Sequence, residues 1–224
     1  MLRSGLFFLL LFLLVPVFVA SSPAGEAERA ADCLVRINHA VEDADTEAFQ
    51  RLADVDAILN TGFTAFLREV EAMQKTGDIP PLLALLFSPA AMRNTAGEQV
   101  RALLVAETKA FVLNGIASGT FAGRPSNGRA AQGLLAPLFA DASIGRKEIR
   151  DIGQARAEGN DWLVPFVVLD HGNGESYPVL GRVSPGEDGF RLTAVENLGE
   201  LVRRINEERK LWEEGRQQGG SGMK

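Results

Sequence analysis

The chain has 224 residues, 46% hydrophobic and 23% charged, with a formal net charge of −6, two histidines and one cysteine. An acidic balance is no footprint for nucleic acid, two histidines leave no multi-histidine metal site, and one cysteine forms no internal disulfide. The composition is that of an ordinary globular protein, and about 200 residues can bury roughly 70% of the unfolded surface, so stability must come from an apolar core alone.

Residues 5–20 form a run rich in leucine, phenylalanine and valine, preceded by Arg3 and followed by small residues. This is the layout of a secretory signal peptide, and it is shorter than the roughly 20 residues of a bilayer-spanning helix. Val19-Ala20-Ser21 or Ser22-Pro23-Ala24 offers the cleavage positions. The expectation is a signal peptide over 1–24 and an exported domain, periplasmic or extracellular. The alternative is an uncleaved membrane tether through residues 5–20, with the domain on the outer face of the inner membrane. Removing the leader takes away Arg3 and makes the chain one unit more negative. Cys33 lies far beyond the run and follows Asp32 where a lipid-attachment site needs a small residue. It reads as a small buried side chain on a helix face, with an intermolecular disulfide or a reactive thiol as the alternatives.

Ala30, Cys33 or Leu34, Ile37 and Val41 recur at three- and four-residue spacing and predict a first helix ending near Asp43-Ala44-Asp45. Asp45 is placed to cap a short second helix carrying Phe49 and Leu52, and Asp54 a longer third. The third has the cleanest stripe in the chain, Val55, Ile58, Leu59, Phe63, Phe66, Leu67, Val70 and Met73, ended by Gly77. Pro80-Pro81 opens a short apolar helix, Leu82 to Phe87, that Pro89 stops. Val100, Leu103, Leu104, Glu107, Phe111 and Ile116 mark a further long helix closing at Ser118-Gly119. Arg124 to Gly133 reads as a loop and Leu134 to Ala140 as a short helical piece.

From Arg146 onward the period changes. The turn clusters Glu158 to Asp161, His171 to Gly174 and Ser184 to Gly189 separate runs of strand length, and three turns give four strands. Trp162 to Leu169 is apolar almost throughout and reads as doubly buried, although Pro165 cannot donate to a ladder. Tyr177, Val179 and Val183 on one strand, and Phe190, Leu192 and Ala194 on the next, alternate with wetter residues. Asn173-Gly174 tolerates the positive φ of a two-residue hairpin turn. A closing helix follows, with Asn197 as cap, Glu200 placed to reach back, and Leu198, Leu201, Val202, Ile205 and Leu211 or Trp212 on one face.

The predicted fold class is therefore α+β: a helical N-terminal half packed on a four-stranded antiparallel meander with a C-terminal helix, one domain over 25–213 and a flexible polar tail over 214–224. Val41-Glu42-Asp43-Ala44-Asp45 with Leu52-Ala53-Asp54-Val55-Asp56, then Gly145 to Ile149 and Leu192 to Leu198, resembles secreted bacterial proteins of unknown function. Those carry a cystatin-like or nuclear-transport-factor-2-like cone, and the resemblance spans about Glu28 to Glu208. It implies a pocket between a concave sheet and the helices, which relatives use for catalysis, small ligands or partners.

No catalytic, cofactor-binding or metal-ligating residue can be assigned. His39 and Cys33 point about 120° apart on one helix. His171, with Asp170, Asn173 and Glu175, lacks the spacing of a calcium loop and reads as a solvated turn. Gly145-Arg146-Lys147-Glu148 lacks the upstream glycine and the hydroxyl of a phosphate loop. Asp43, Asp45, Asp54 and Asp56 stand at helix starts, where capping explains them. Trp162, Phe166 and Tyr177 are the candidate pocket lining. The expectation is a non-catalytic exported domain without a cofactor, binding a small apolar ligand or an envelope protein. The alternatives are a hydrolase or isomerase using Asp56 with Tyr177 or His39, and a membrane-tethered envelope assembly factor.

Overall fold

A computed structural model describes residues 22–76, 95–125, 145–201 and 203–204. The expected leader up to residue 21, the Leu82 to Phe87 helix, most of the Arg124 to Gly133 loop, the Leu134 to Ala140 piece and the polar tail lie outside these residues. The fold is α+β, with helices in the N-terminal half followed by a curled antiparallel sheet and a short C-terminal helix. Among the described residues, no helix is long and apolar enough to cross a membrane.

Helix α1 spans Pro23–Glu42. Extended Ser22 caps it by accepting the Gly25 N–H at 3.2 Å, and Pro23 occupies the first turn, where an amide has no partner to lose. Its buried face is Ala30, Cys33, Leu34, Ile37 and Ala40, so the stripe closes on Ala40 rather than on half-buried Val41. Ala44 takes φ 60°, and the Asp43 and Asp45 amides fold back onto the His39 and Ala40 carbonyls. Helix α2 spans Thr46–Leu52 and helix α3 Val55–Thr76. Both aspartate caps form as expected: Asp45 Oδ1 accepts the Ala48 N–H at 2.8 Å, and Asp54 Oδ1 the Ala57 N–H at 3.0 Å. Helix α4 spans Thr95–Ala117 and ends before Gly119, which takes φ 73°. Leu104 and Ile116 are buried in it, whereas Leu103 is 45% exposed.

The sheet comprises β1 Lys147–Arg150, β2 Arg156–Glu158, β3 Asp161–Asp170, β4 Glu175–Gly186 and β5 Gly189–Val195, in the order β1-β3-β4-β5 with β2 also on β3. The first of the four expected strands is thus two pieces, and Pro165 explains the break. Its carbonyl accepts the Gly153 N–H at 2.8 Å, so its missing donor faces that same neighbour. The chain leaves the ladder after Arg150, with Asp151 at φ 52°, and rejoins it at Arg156.

A bulge corrects the second expectation. Arg182 pairs with Ala194 but Val183 pairs with Leu192, leaving Thr193 as an extra residue. Beyond it the faces exchange: Phe190 and Leu192 turn inward, then Val195, opposite Gly181, takes the core side in place of Ala194. The β3–β4 loop also differs from a two-residue turn. It holds four residues, His171 to Gly174, and only Gly174 takes positive φ, at 79°.

Helix α1 lies against the inner face of the sheet, its buried residues packed on Trp162, Val164, Phe166, Val179, Val183 and Leu192. Gly181 makes room there: a Cβ would stand 2.8 Å from Leu192 Cδ1 and 2.9 Å from Phe166 Cε1. Both sheet edges are tied to the helices. Asn38 Oδ1 on α1 accepts the Ile149 N–H of β1 at 2.8 Å, and the Asp54 N–H beyond α2 donates to Leu192 of β5 at 2.8 Å. Two edges held by one short stretch of helical chain force the sheet to curl around α1.

The closing segment corrects a third expectation. Asn197 Oδ1 accepts the Leu180 N–H and its Nδ2 donates to the Pro178 carbonyl, both at 2.9 Å. The side chain pairs with β4 as a strand backbone would, in place of capping the helix that begins at Leu198.

Candidate functional site

Trp162 and Phe166 are 8% and 5% exposed and belong to the core that α1 fills. Tyr177 is half-buried at the β3–β4 end, where its hydroxyl accepts from Asn173 Nδ2 at 3.0 Å and Arg204 lies over its ring. Cys33 is also inside, 1% exposed, with Sγ 3.2 Å from the Phe190 carbonyl. Burial pushes its thiol up to about 11, opposite to the shift that activates a nucleophile. At pH 8 the folded chain should react with a thiol reagent at least about 100-fold more slowly than the unfolded chain. Equal rates in buffer and in urea would mean that Cys33 is not enclosed.

The charged groups form two clusters. At the sheet end, His171 Nε2 lies 2.7 Å from Glu148 Oε2, Arg146 bridges Glu148 and Glu42 at 3.6 and 3.1 Å, and His39 lies 3.6 Å from Glu42. Both histidines therefore end on one carboxylate–arginine–carboxylate chain. The hydrogen bond from His171, with Arg146 nearby, holds the Glu148 carboxyl below its usual range. Buried Asp170 pairs with Lys147 at 2.6 Å and accepts the Gly172 N–H at 2.9 Å, both through Oδ1. On the outer face of β4, Arg182 meets Glu196 at 2.5 Å, Glu158 at 2.6 Å and Asp161 at 3.1 Å. Those bonds raise its basicity further, and Ser184 together with Arg182 keeps Asp161 low.

Asp56, Tyr177 and His39 are not gathered around a common centre: Asp56 pairs with Lys109 at 2.7 Å, Tyr177 with Asn173, and His39 with Glu42. Among the described residues, no group of three histidine, cysteine or carboxylate side chains is arranged to hold a metal ion.

A cleft of about 480 Å³ opens between α3 and the end of β5. Thr61, Thr64, Ala65 and Arg68 face it from α3, at the i, i+3, i+4, i+7 spacing of one helix face. Ala194, Val195 and Glu196 line the other side, and Arg101 reaches in from α4. Leu198 closes the floor, with its Cδ2 seated where a Cβ on Gly62 would stand. The bulge at Thr193 and the Asn197 bonds to β4 set this wall, because they decide which side chains beyond Leu192 turn toward α3. No sequence motif marks these residues. The one legible signal is the second stripe on α3, small and polar, beside the apolar one.

Comparison with family models, with curated proteins and with solved structures finds no match. What stands is the architecture itself, an α+β fold with a curled antiparallel sheet compatible with a cone.

Proposed function

We propose that the chain is an exported, non-catalytic binding domain of the cystatin-like or nuclear-transport-factor-2-like kind, holding a small ligand in the cleft between α3 and β5. The apolar run over residues 5–20 after Arg3 supports export. The observation that carries the binding reading is the lining of the cleft: hydroxyls, aliphatic groups and two arginines, with Glu196 the one carboxylate among the described residues that line it, and that one bonded to Arg182. A general acid or base needs a pKa brought toward neutrality. At the two charged clusters, hydrogen bonds from His171 and from Ser184 hold Glu148 and Asp161 low, toward permanent charge. The concave side of the sheet is occupied by α1, which moves the ligand to the α3 side.

A thermal-shift screen of small compounds on the full exported chain, repeated with Thr64→Trp, tests this. Thr64 is exposed on the cleft, so the tryptophan blocks the space without entering the core. Compounds that stabilise the native chain should lose their effect in the variant. Stabilisation that survives Thr64→Trp, or turnover of a stabilising compound, overturns the reading.

A further inference from the structure

Arg68 and Arg101 line the same cleft, and among the described residues neither forms an ion pair. Arg182 and Arg191, in contrast, meet carboxylates within 3.3 Å. Arg101 is held ready: one Nη donates to the Asn60 carbonyl at 3.0 Å, and the Phe63 ring lies 5.4 Å from its guanidinium carbon. Four of its five N–H donors remain. Glu196 directs Oε1 to Arg182 Nε, which draws that negative charge toward the outer face of β4. Asp56 in the first turn of α3 and Lys109 on α4 neutralise one another.

We infer that the cleft receives the oxyanion of a small acid, a carboxylate or phosphate group carried on a short apolar body. The inference rests on the cleft being the binding site. A planar guanidinium matches both oxyanions with two parallel N–H···O bonds, and Arg68 and Arg101 present that fork from two helices. The Thr61 hydroxyl lies on the same face of α3 as a further donor. Ala65, Val195 and Leu198 supply the apolar side, against which a ring or short aliphatic chain packs. A volume of 480 Å³ lies toward the lower end of small-ligand sites, which run from about 300 to 1,000 Å³, so the ligand is a small acid and not a long acyl chain.

Titration calorimetry on the full exported chain with benzoate, phenyl phosphate and benzamide tests this, because the three share a ring and differ in charge. At least one of the two anions should bind about tenfold or more tightly than benzamide, and which one does separates a carboxylate ligand from a phosphate. Arg68→Gln and Arg101→Gln should each weaken the anion by about 10- to 100-fold, the loss of a hydrogen bond to a charged group, and leave benzamide unchanged. Unliganded melting curves of both variants check that the fold is intact. Benzamide binding as well as the anions, anion affinity indifferent to both substitutions, or no binding by either anion overturns the inference. Thr64→Trp separates the two failures: if it abolishes benzamide binding, the cleft is still the site and only its charge preference falls. If every probe that binds the native chain also binds the variant, the cleft reading falls as well.

Discussion

Leu34→Ala should destabilise the chain by about 3–5 kcal/mol, the upper part of the range for deleting a buried leucine, read as a lower urea midpoint with an unchanged slope. Leu34 is fully buried at 0% exposure, on the face of α1 that the sheet encloses. The cost of such a deletion depends on whether the surroundings can close over the lost atoms. Here they are held from both sides, by Asn38 on β1 and by the Asp54 amide on β5, so the sheet is not free to tighten around a thinner helix. With total stabilities of roughly 5–15 kcal/mol, that loss is a large part of the whole. Leu103→Ala, at a position 45% exposed on α4, should stay within about 0.5 kcal/mol. Equal effects at the two positions would show that α1 is not enclosed as described.

Arg182→Met should cost about 2 kcal/mol, the sum of three partly exposed ion pairs at roughly 0.2–1 kcal/mol each. The substitution keeps an apolar stem on β4 and removes the cation that Glu158, Asp161 and Glu196 share. Exposed ion pairs contribute little singly, but this arginine is 27% exposed and its loss leaves three carboxylates facing one another. Much of the effect is that repulsion, so it has a signature. Adding Glu158→Gln and Glu196→Gln to Arg182→Met should recover most of the stability, and high salt should reduce the penalty. A penalty that neither neutralisation nor salt relieves would place the cause in packing.

The α+β order was legible because it rests on local signals. Asp45 and Asp54 cap the helices that their positions announced, and the strand-length runs between turn clusters became β3, β4 and β5. What escaped is non-local. Pro165 was visible as an irregularity, but that it splits the neighbouring strand depends on which side of the ladder its missing donor faces. Ala194 fitted an alternating pattern that the bulge at Thr193 reverses, and a one-residue insertion leaves no trace in composition. Asn197 stood at a helix start, where its type suits a cap, yet the Leu180 amide and Pro178 carbonyl lay closer to hand. The cleft was illegible for the same reason: Arg68 and Arg101 resemble any charged residue on a helix until the exit of β5 is brought beside them.

Seating Leu198 on Gly62 joins the two halves of the chain, and the side-chain amide of Asn197 fixes the approach by pairing with β4. During synthesis α1 to α4 can coil as they emerge, but the wall opposite α3 does not exist until Leu198 is out and the meander has paired. Contacts of such long separation are slow to form, because loop-closure entropy must be met first. The cleft is therefore a feature the molecule acquires last, and a chain cut short before residue 197 would lack it however much of its helical half had formed.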